Sequence, residues 1–264
     1  MNEPAPVAHV DGHLAVQVGT STPPLLLTQD HKLCPGCGHP ISWRLLLETI
    51  DALDLAKGCI GVAGHGCYTG IIRVGAVEFA QVLHGRAPAV ATGIKRMRPE
   101  LTVFTVQGDG DMVSEGLAEV IHAAARGEQI LAVVLNNGVF GDTGGQMTAS
   151  TVVGQRSKTT STGRDAAAHG YPVPIADLVA ACEGTAFAAR GGVYSAGSIA
   201  RTSKLMRKAF EVAGSGAGFA FLEILTMCPT GWLTSAAAGP EYLNDSIESR
   251  FPLGELALAR DARG

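Results

Sequence analysis

The sequence predicts an α/β fold with a mostly parallel sheet flanked by helices. Two apolar runs, residues 101–106 and 130–135, each lead into a glycine-rich polar turn. The first turn is Gly108-Asp109-Gly110-Asp111 and the second is Asn136-Asn137-Gly138. Each run reads as a buried strand whose carboxyl end delivers polar groups. Segments of helical period lie between the apolar runs, and that alternation is the signature of parallel βα units.

The elements follow in chain order. Residues 1–28 are rich in Pro and Val without helical period and read as an extended N-terminal arm, leaving residues 29–264 as a single domain. Residues 41–53 place Leu45, Leu46, Ile50 and Leu53 at helical spacing. Cys59–Ala63 reads as a short strand. Residues 114–126 read as one amphipathic helix, with Leu117, Val120, Ile121, Ala124 and Ala125 on a common face and Glu115 in its first turn. Residues 141–171 are rich in Gly, Ser and Thr, and so long a loop inside a domain is usually functional. A helix over 199–213 and a buried strand over Phe219–Leu225 complete the pattern.

Composition narrows the function classes. A chain of 264 residues with 46% hydrophobic residues and 34 glycines suits a globular enzyme with a sizeable core. A net charge of −4 and the lack of a basic run argue against a nucleic-acid surface. No segment approaches the roughly twenty apolar residues of a membrane helix. The N-terminus lacks the basic region of a secretory signal, so a cytoplasmic protein is the expectation.

The two turns carry the first candidate chemistry. Asp109 offers a carboxylate and Asn137 a neutral oxygen, the hard donors Mg²⁺ takes while it also holds phosphate oxygens. Gly108 and Gly110 let the backbone approach a diphosphate. Alone, Asp109 and Asp111 would read as helix caps; the Asn pair twenty-four residues further on turns the reading toward a cofactor. In an open α/β sheet, ligands bind at that edge.

The second candidate is a set of four cysteines in turns. Cys34 and Cys37 lie in Cys34-Pro35-Gly36-Cys37-Gly38-His39, Cys67 in Gly64-His65-Gly66-Cys67, and Cys228 in Met227-Cys228-Pro229-Thr230-Gly231-Trp232. Four thiolates suit a structural zinc or a [4Fe–4S] cluster, and Cys-x-x-Cys also suits a redox dithiol. Spacing alone leaves these open. Cys59 and Cys182 have small or apolar neighbours and read as buried packing thiols. His39 reads as a satisfied turn residue.

Together these motifs resemble the thiamine diphosphate-binding β subunit of 2-oxoacid:ferredoxin oxidoreductases, nearest to the ketoisovalerate (branched-chain) type. The resemblance spans about residues 30–255. It includes Gln107-Gly-Asp-Gly-Asp111, the segments His84–Arg96 and His122–Glu128, Thr143-Gly144-Gly145-Gln146-Met147 and Cys228-Pro-Thr-Gly-Trp232. It implies the thiamine diphosphate-binding fold, specifically the diphosphate-gripping module. It implies Mg²⁺ held by Asp109, Asn137 and the Val139 carbonyl, and one [4Fe–4S] cluster held by Cys34, Cys37, Cys67 and Cys228. Gly108, Gly110, Asp111, Thr143, Gly144, Gly145 and Gln146 would shape the cofactor site. His65 stands where related chains usually carry an aliphatic residue and would tune the cluster, touch cofactor or serve a structural role, and His84 and Arg86 would contact diphosphate or partner, or solvate a loop.

The implied reaction is oxidative decarboxylation of a 2-oxoacid to an acyl-CoA, with electrons passing through the cluster to ferredoxin. Partners would be an α subunit supplying the pyrimidine-activating Glu, and γ or δ subunits. Asp142 departs from the family, whose pyruvate type carries Asn there and whose branched-chain type commonly carries Met. It is expected to turn toward an Arg, leaving a branched or aryl 2-oxoacid as substrate. Two other classes compete: a non-redox thiamine diphosphate-dependent decarboxylase subunit, which has no need of four cysteines, and a zinc-stabilised binding module without catalysis.

Overall fold

Alternation of side chains along four buried strands builds a three-layer sandwich. In the computed structural model, which describes residues 25–27 and 31–258, Leu131, Val133 and Leu135 point to one apolar layer while Ala132 and Val134 point to the other. Ala220, Leu222 and Ile224 likewise oppose Phe219 and Phe221. A strand buried on both faces is what a parallel sheet covered by helices requires.

In chain order the elements are α1 (His39–Ala52), β1 (Cys59–Ala63), β2 (Phe79–Gln81), α2 (Ala87–Met97), β3 (Thr102–Gly108), α3 (Leu117–Ala125) and β4 (Leu131–Asn136). A small hairpin follows, β5 (Val139–Phe140) with β6 (Gln146–Met147), then α4 (Ala166–His169), α5 (Ile175–Ala180), β7 (Thr185–Gly192), α6 (Ala196–Ser215), β8 (Phe219–Leu225) and β9 (Gly254–Leu258). The main sheet has seven strands in the order β2-β1-β3-β4-β8-β7-β9. All neighbours are parallel except β9, which runs antiparallel along the β7 edge. Trp43, Leu46 and Ile50 of α1 and Met206, Ala209 and Phe210 of α6 fill one layer. Ala87 and Ala91 of α2, Val120 and Ala124 of α3, and Ile175 and Val179 of α5 fill the other.

The register aligns the strand ends that matter. Ala63 pairs with Val106, Gly108 with Leu135, and Asn136 with Leu225. The turns after β1, β3, β4 and β8 therefore emerge side by side along one carboxyl edge. Gly38 joins them, because its N–H donates to the Met227 carbonyl at 2.9 Å just beyond β8.

The structure departs from the sequence reading at several elements. The helix expected over 114–126 is interrupted. A π-helical turn spans Gly110–Glu115, and α3 begins only after Gly116. A Cβ on Gly116 would lie 2.5 Å from the Gly85 Cα, so the backbone there yields to a neighbouring loop. The helix expected over 199–213 is longer: the Ser195 hydroxyl accepts from the Ser198 N–H, with the reciprocal bond present, and Gly216 closes it at φ +76°. The 141–171 segment contains β6 and α4. It is organised by the guanidinium of Arg164, 6% exposed, which donates to the carbonyls of Thr148, Ala149, Thr151, His169, Gly170 and Tyr171. Most of the expected 1–28 arm lies outside the described residues; within it, Leu26 bridges antiparallel to Gly75.

Candidate active site at the carboxyl edge

The turns after β3 and β4 meet through Asp109 and Asn137. The Asp109 carboxylate, 1% exposed, accepts from the Asn137 N–H at 3.3 Å and from the Thr148 hydroxyl at 2.5 Å. Burial lifts its pKa to about 7, against the pull of those two donors. It therefore stands ready to lose its proton when a cation arrives. The Asn137 side-chain oxygen accepts from the Val139 N–H at 3.0 Å, closing a tight turn. Trp232 Nε1 donates to the Asn137 carbonyl at 2.7 Å, which fixes the turn from the far side.

Asp111 has a different task. One carboxylate oxygen accepts from the Gly85 N–H and the Gln107 amide, and the other from the Tyr68 hydroxyl and the His65 N–H. Four donors from three chain segments saturate it, so it knits loops together. The Tyr68 ring, 2% exposed, lies over this junction.

A buried chain of charge supports Asn136. Its side-chain amide donates to Glu223 at 2.7 Å, and its oxygen accepts from the Gly138 N–H at 3.0 Å. Glu223 pairs with Arg190 at 2.6 Å, and Arg190 reaches half-exposed Asp177 at 2.7 Å. Burial of Arg190 in β7 is tolerable because both carboxylates and the Pro252 carbonyl accept from it.

Between these turns opens a cavity of about 150 Å³. Of the expected cofactor residues, His65, Gly108, Asp109, Gly110, Asp111, Asn137, Val139 and Thr143 line it. Gly144, Gly145 and Gln146 stand behind: Gln146 exchanges two hydrogen bonds of 2.8 Å with Thr143, and Gly145 packs on Gly231. His84 lines the cavity, its ring 5.4 Å from that of His65. Arg86, expected at the diphosphate, a partner or a solvated loop, pairs with Glu119. Asp142 also corrects its expectation: it is exposed at the cavity, and no Arg within the described residues pairs with it.

Cys67 lines the same cavity, and the other three turn cysteines lie near Cys67. Sulfurs of Cys67 and Cys228 lie 3.6 and 3.3 Å from the point a Cβ on Gly141 would occupy. The Cys34–Cys37 loop packs against Pro229, and Cys67 feels the charge of all three other thiols. Burial, with the neighbouring sulfurs adding to it, pushes the Cys37 thiol up to about 12 and raises Cys67 and Cys228 as well. Such thiols become thiolates only against a cationic core. A zinc ion with Zn–S near 2.3 Å would draw four sulfurs to about 4 Å from one another. Among the described residues no three His, Cys, Asp or Glu groups stand at single-ion spacing. A larger inorganic core, with a sulfur ligand on each of several metal atoms, would take sulfurs spaced more widely than that. The Mg²⁺ donor set is not of that kind, since it needs one carboxylate, neutral oxygens and the ligand's own phosphates.

Cys59 is buried, as expected. Cys182 corrects the expectation: it is only half-buried, in the turn before β7 at the opposite edge, with its Sγ 3.5 Å from the Leu178 carbonyl. His39 is a further correction, because its buried Nε2 has no partner among the described residues. Sequence reasoning missed Thr148, Glu223 and Arg190 as supports of the site; nothing in their local surroundings marks them, since their partners are remote in sequence.

Residues 64–224 match the thiamine pyrophosphate enzyme family, C-terminal TPP-binding domain. The chain is 37% identical over 220 residues to the ketoisovalerate oxidoreductase subunit VorA of Methanothermobacter thermautotrophicus, covering 83% of this chain and 46% of that protein. It is 33% identical to the 2-oxoglutarate synthase subunit KorB of Archaeoglobus fulgidus, covering 82% and 77%. The 2-oxoglutarate:ferredoxin oxidoreductase of Magnetococcus marinus, solved with 2-oxoglutarate, coenzyme A and succinyl-CoA bound, shares the fold at a TM-score of 0.70 and 23% identity, over 93% of this chain and 87% of that one. The chain spans about half the length of the VorA relative. Its matched residues include both polar turns and the carboxyl edge they build, and on that ground the chain belongs to the thiamine pyrophosphate enzyme family, among the subunits of 2-oxoacid:ferredoxin oxidoreductases.

Proposed function

We propose that this chain is the diphosphate-binding module of a thiamine diphosphate-dependent oxidoreductase that converts a 2-oxoacid to an acyl-CoA. Residues 29–264 act as one module in a hetero-oligomer with an α subunit that carries the pyrimidine site. One [4Fe–4S] cluster would supply the one-electron route to ferredoxin. The observation that carries this reading is the meeting of two sites at one cavity: Asp109 and Asn137 line it, and so does Cys67, which has Cys37 and Cys228 close by.

The residues present suit both groups. Asp109, Asn137 and the Val139 carbonyl would hold Mg²⁺, and Gly108 and Gly110 leave room for a diphosphate against the backbone. Cys34, Cys37, Cys67 and Cys228 would hold the cluster. Bound thiamine diphosphate supplies a carbon nucleophile and an electron sink, and the cluster accepts electrons singly. The chain's own share is physical. Thr148 and the Asn137 N–H orient the Asp109 carboxylate toward the cation. Asp111 holds the loops of Tyr68, Gly85 and His65 around the cavity. Phe140 and Tyr68 limit water at the site, which strengthens each charge interaction inside it.

The two halves are separable by mutation of the anaerobically purified complex. Asp109→Ala should abolish thiamine diphosphate binding and keep a visible absorbance that dithionite bleaches. Cys228→Ser should lose that absorbance and keep cofactor binding. An absent absorbance in the unmodified complex, with cofactor bound, would favour a non-redox decarboxylase.

A further inference from the structure

A second cleft, of about 340 Å³, opens beside the cofactor cavity. One turn, Cys67–Val74, serves both: Cys67 and Tyr68 line the cavity, while Thr69, Gly70 and Arg73 line the cleft. Gln81 of β2 also lines the cleft, and its amide donates to the Gly64 carbonyl at 3.4 Å, next to cavity-lining His65.

The cleft is positively charged. His31, Lys32 and Arg73 line it, and no Asp or Glu does. Among the described residues no carboxylate pairs with any of the three. In a chain of net charge −4 this is a local excess of positive charge. Lys32 sits at φ +53°, a left-handed conformation that residues with a Cβ rarely take, and strain of that kind gathers at ligand sites. His31 Nδ1 accepts from the Leu33 N–H at 3.1 Å, so the proton of the neutral ring sits on Nε2 as a donor. A Cβ on Gly70 would meet nothing nearer than the His31 carbonyl at 3.6 Å, so a small residue keeps this part of the cleft open.

An ammonium, a guanidinium and an imidazole N–H are donors that phosphate takes. The proposed reaction has two anionic small-molecule substrates. A 2-oxoacid carries its carboxylate on the carbon next to the reacting one, so that charge belongs inside the cavity. Coenzyme A carries its phosphates far from its thiol, at the nucleotide end of a long flexible arm. A cationic cleft beside the cavity suits the second substrate and not the first. A docked acidic protein would cover about 800 Å² of surface, whereas this charge is gathered in one concavity.

We propose that the cleft of His31, Lys32 and Arg73 binds the phosphate groups of coenzyme A, so that its thiol arm extends into the neighbouring cavity. This rests on the acyl-CoA reading above.

The test is calorimetric titration of coenzyme A into the anaerobic complex loaded with thiamine diphosphate and Mg²⁺. Lys32→Ala and Arg73→Ala, both at exposed positions, should each raise the Kd about tenfold while thiamine diphosphate affinity is kept. Gly70→Glu places a carboxylate in open space and should weaken coenzyme A at least as much. Pantetheine, which keeps the thiol arm and lacks the phosphates, should bind wild type and variants alike. Unchanged coenzyme A affinity in the three variants, or equal weakening of pantetheine, would overturn the proposal. So would a raised KM for the acidic electron carrier with coenzyme A affinity intact, which would make the cleft a protein docking site. A wild-type complex whose 2-oxoacid oxidation does not depend on coenzyme A would refute the underlying reading instead.

Discussion

At the residue scale, Asp109 sets a testable balance between fold and cofactor. Its pKa, lifted by burial to about 7, exceeds its unfolded value. The unfolded chain therefore ionises first, and the cofactor-free fold loses stability as pH rises through the window from about 4 to 7. Asp109→Asn should raise cofactor-free stability at pH 8 by about 1–4 kcal/mol, since each pKa unit is worth 1.36 kcal/mol. It should leave stability at pH 4 nearly unchanged. The same variant should lose all stabilisation by Mg²⁺ and thiamine diphosphate. Thermal melts at the two pH values, with and without cofactor, measure both effects. Asp142 gives a second prediction. An exposed carboxylate at the cavity, with no ion-pair partner among the described residues, disfavours a ligand with a second carboxylate. Asp142→Asn should raise the kcat/KM ratio of 2-oxoglutarate to 2-oxoisovalerate by about tenfold, equivalent to ~1.4 kcal/mol; an unchanged ratio would mean the carboxylate does not meet the substrate side chain. Asp109 and Asn137 were legible because their turns are local and their residue types name the chemistry. Thr148, Glu223 and Tyr68 were not, because they act on partners 39, 87 and 43 residues away.

At the element scale, two buried arginines hold the site's frame. Arg190 and Glu223 form an ion pair with both side chains 1% exposed, beneath the Asn136 turn. Glu223→Ala leaves Arg190 with one half-exposed carboxylate and the Pro252 carbonyl, and should cost about 3–5 kcal/mol of stability. Asp177→Ala, at the exposed end of the chain, should cost only about 0–1 kcal/mol. Urea unfolding of the two variants distinguishes them. Arg164→Ala removes six carbonyl partners at once and should open residues 148–171 to limited proteolysis before the sheet unfolds. The strands with strong apolar runs, β3, β4 and β8, were readable from period and burial. β7 was not: its Ala, Gly and Arg content hides a strand that is buried throughout because Glu223 neutralises its arginine. β2, of three residues, is too short to show a period, and β9 is an edge strand without a buried apolar run.

At the scale of the whole molecule, parallel register is what turns separate motifs into one site. Residues 34–39, 64–67, 108–111, 136–139 and 226–232 are scattered through the chain, and the sheet order brings the turns among them to one edge. The sequence shows that the motifs exist, while their meeting depends on strand order, which no local pattern encodes. Exposed Leu83 beside His84 and exposed Leu233 beside Trp232 leave apolar surface near the cavity. The isolated chain should therefore be inactive in 2-oxoacid oxidation until an α subunit is added. The most direct test of the central claim is iron and acid-labile sulfide per chain in the anaerobic complex, with Cys228→Ser and Cys182→Ser alongside. About four iron and four sulfide per chain, lost in the first variant and kept in the second, is the predicted result for a [4Fe–4S] cluster. Stoichiometric zinc without sulfide, or equal metal content in all three proteins, would contradict it.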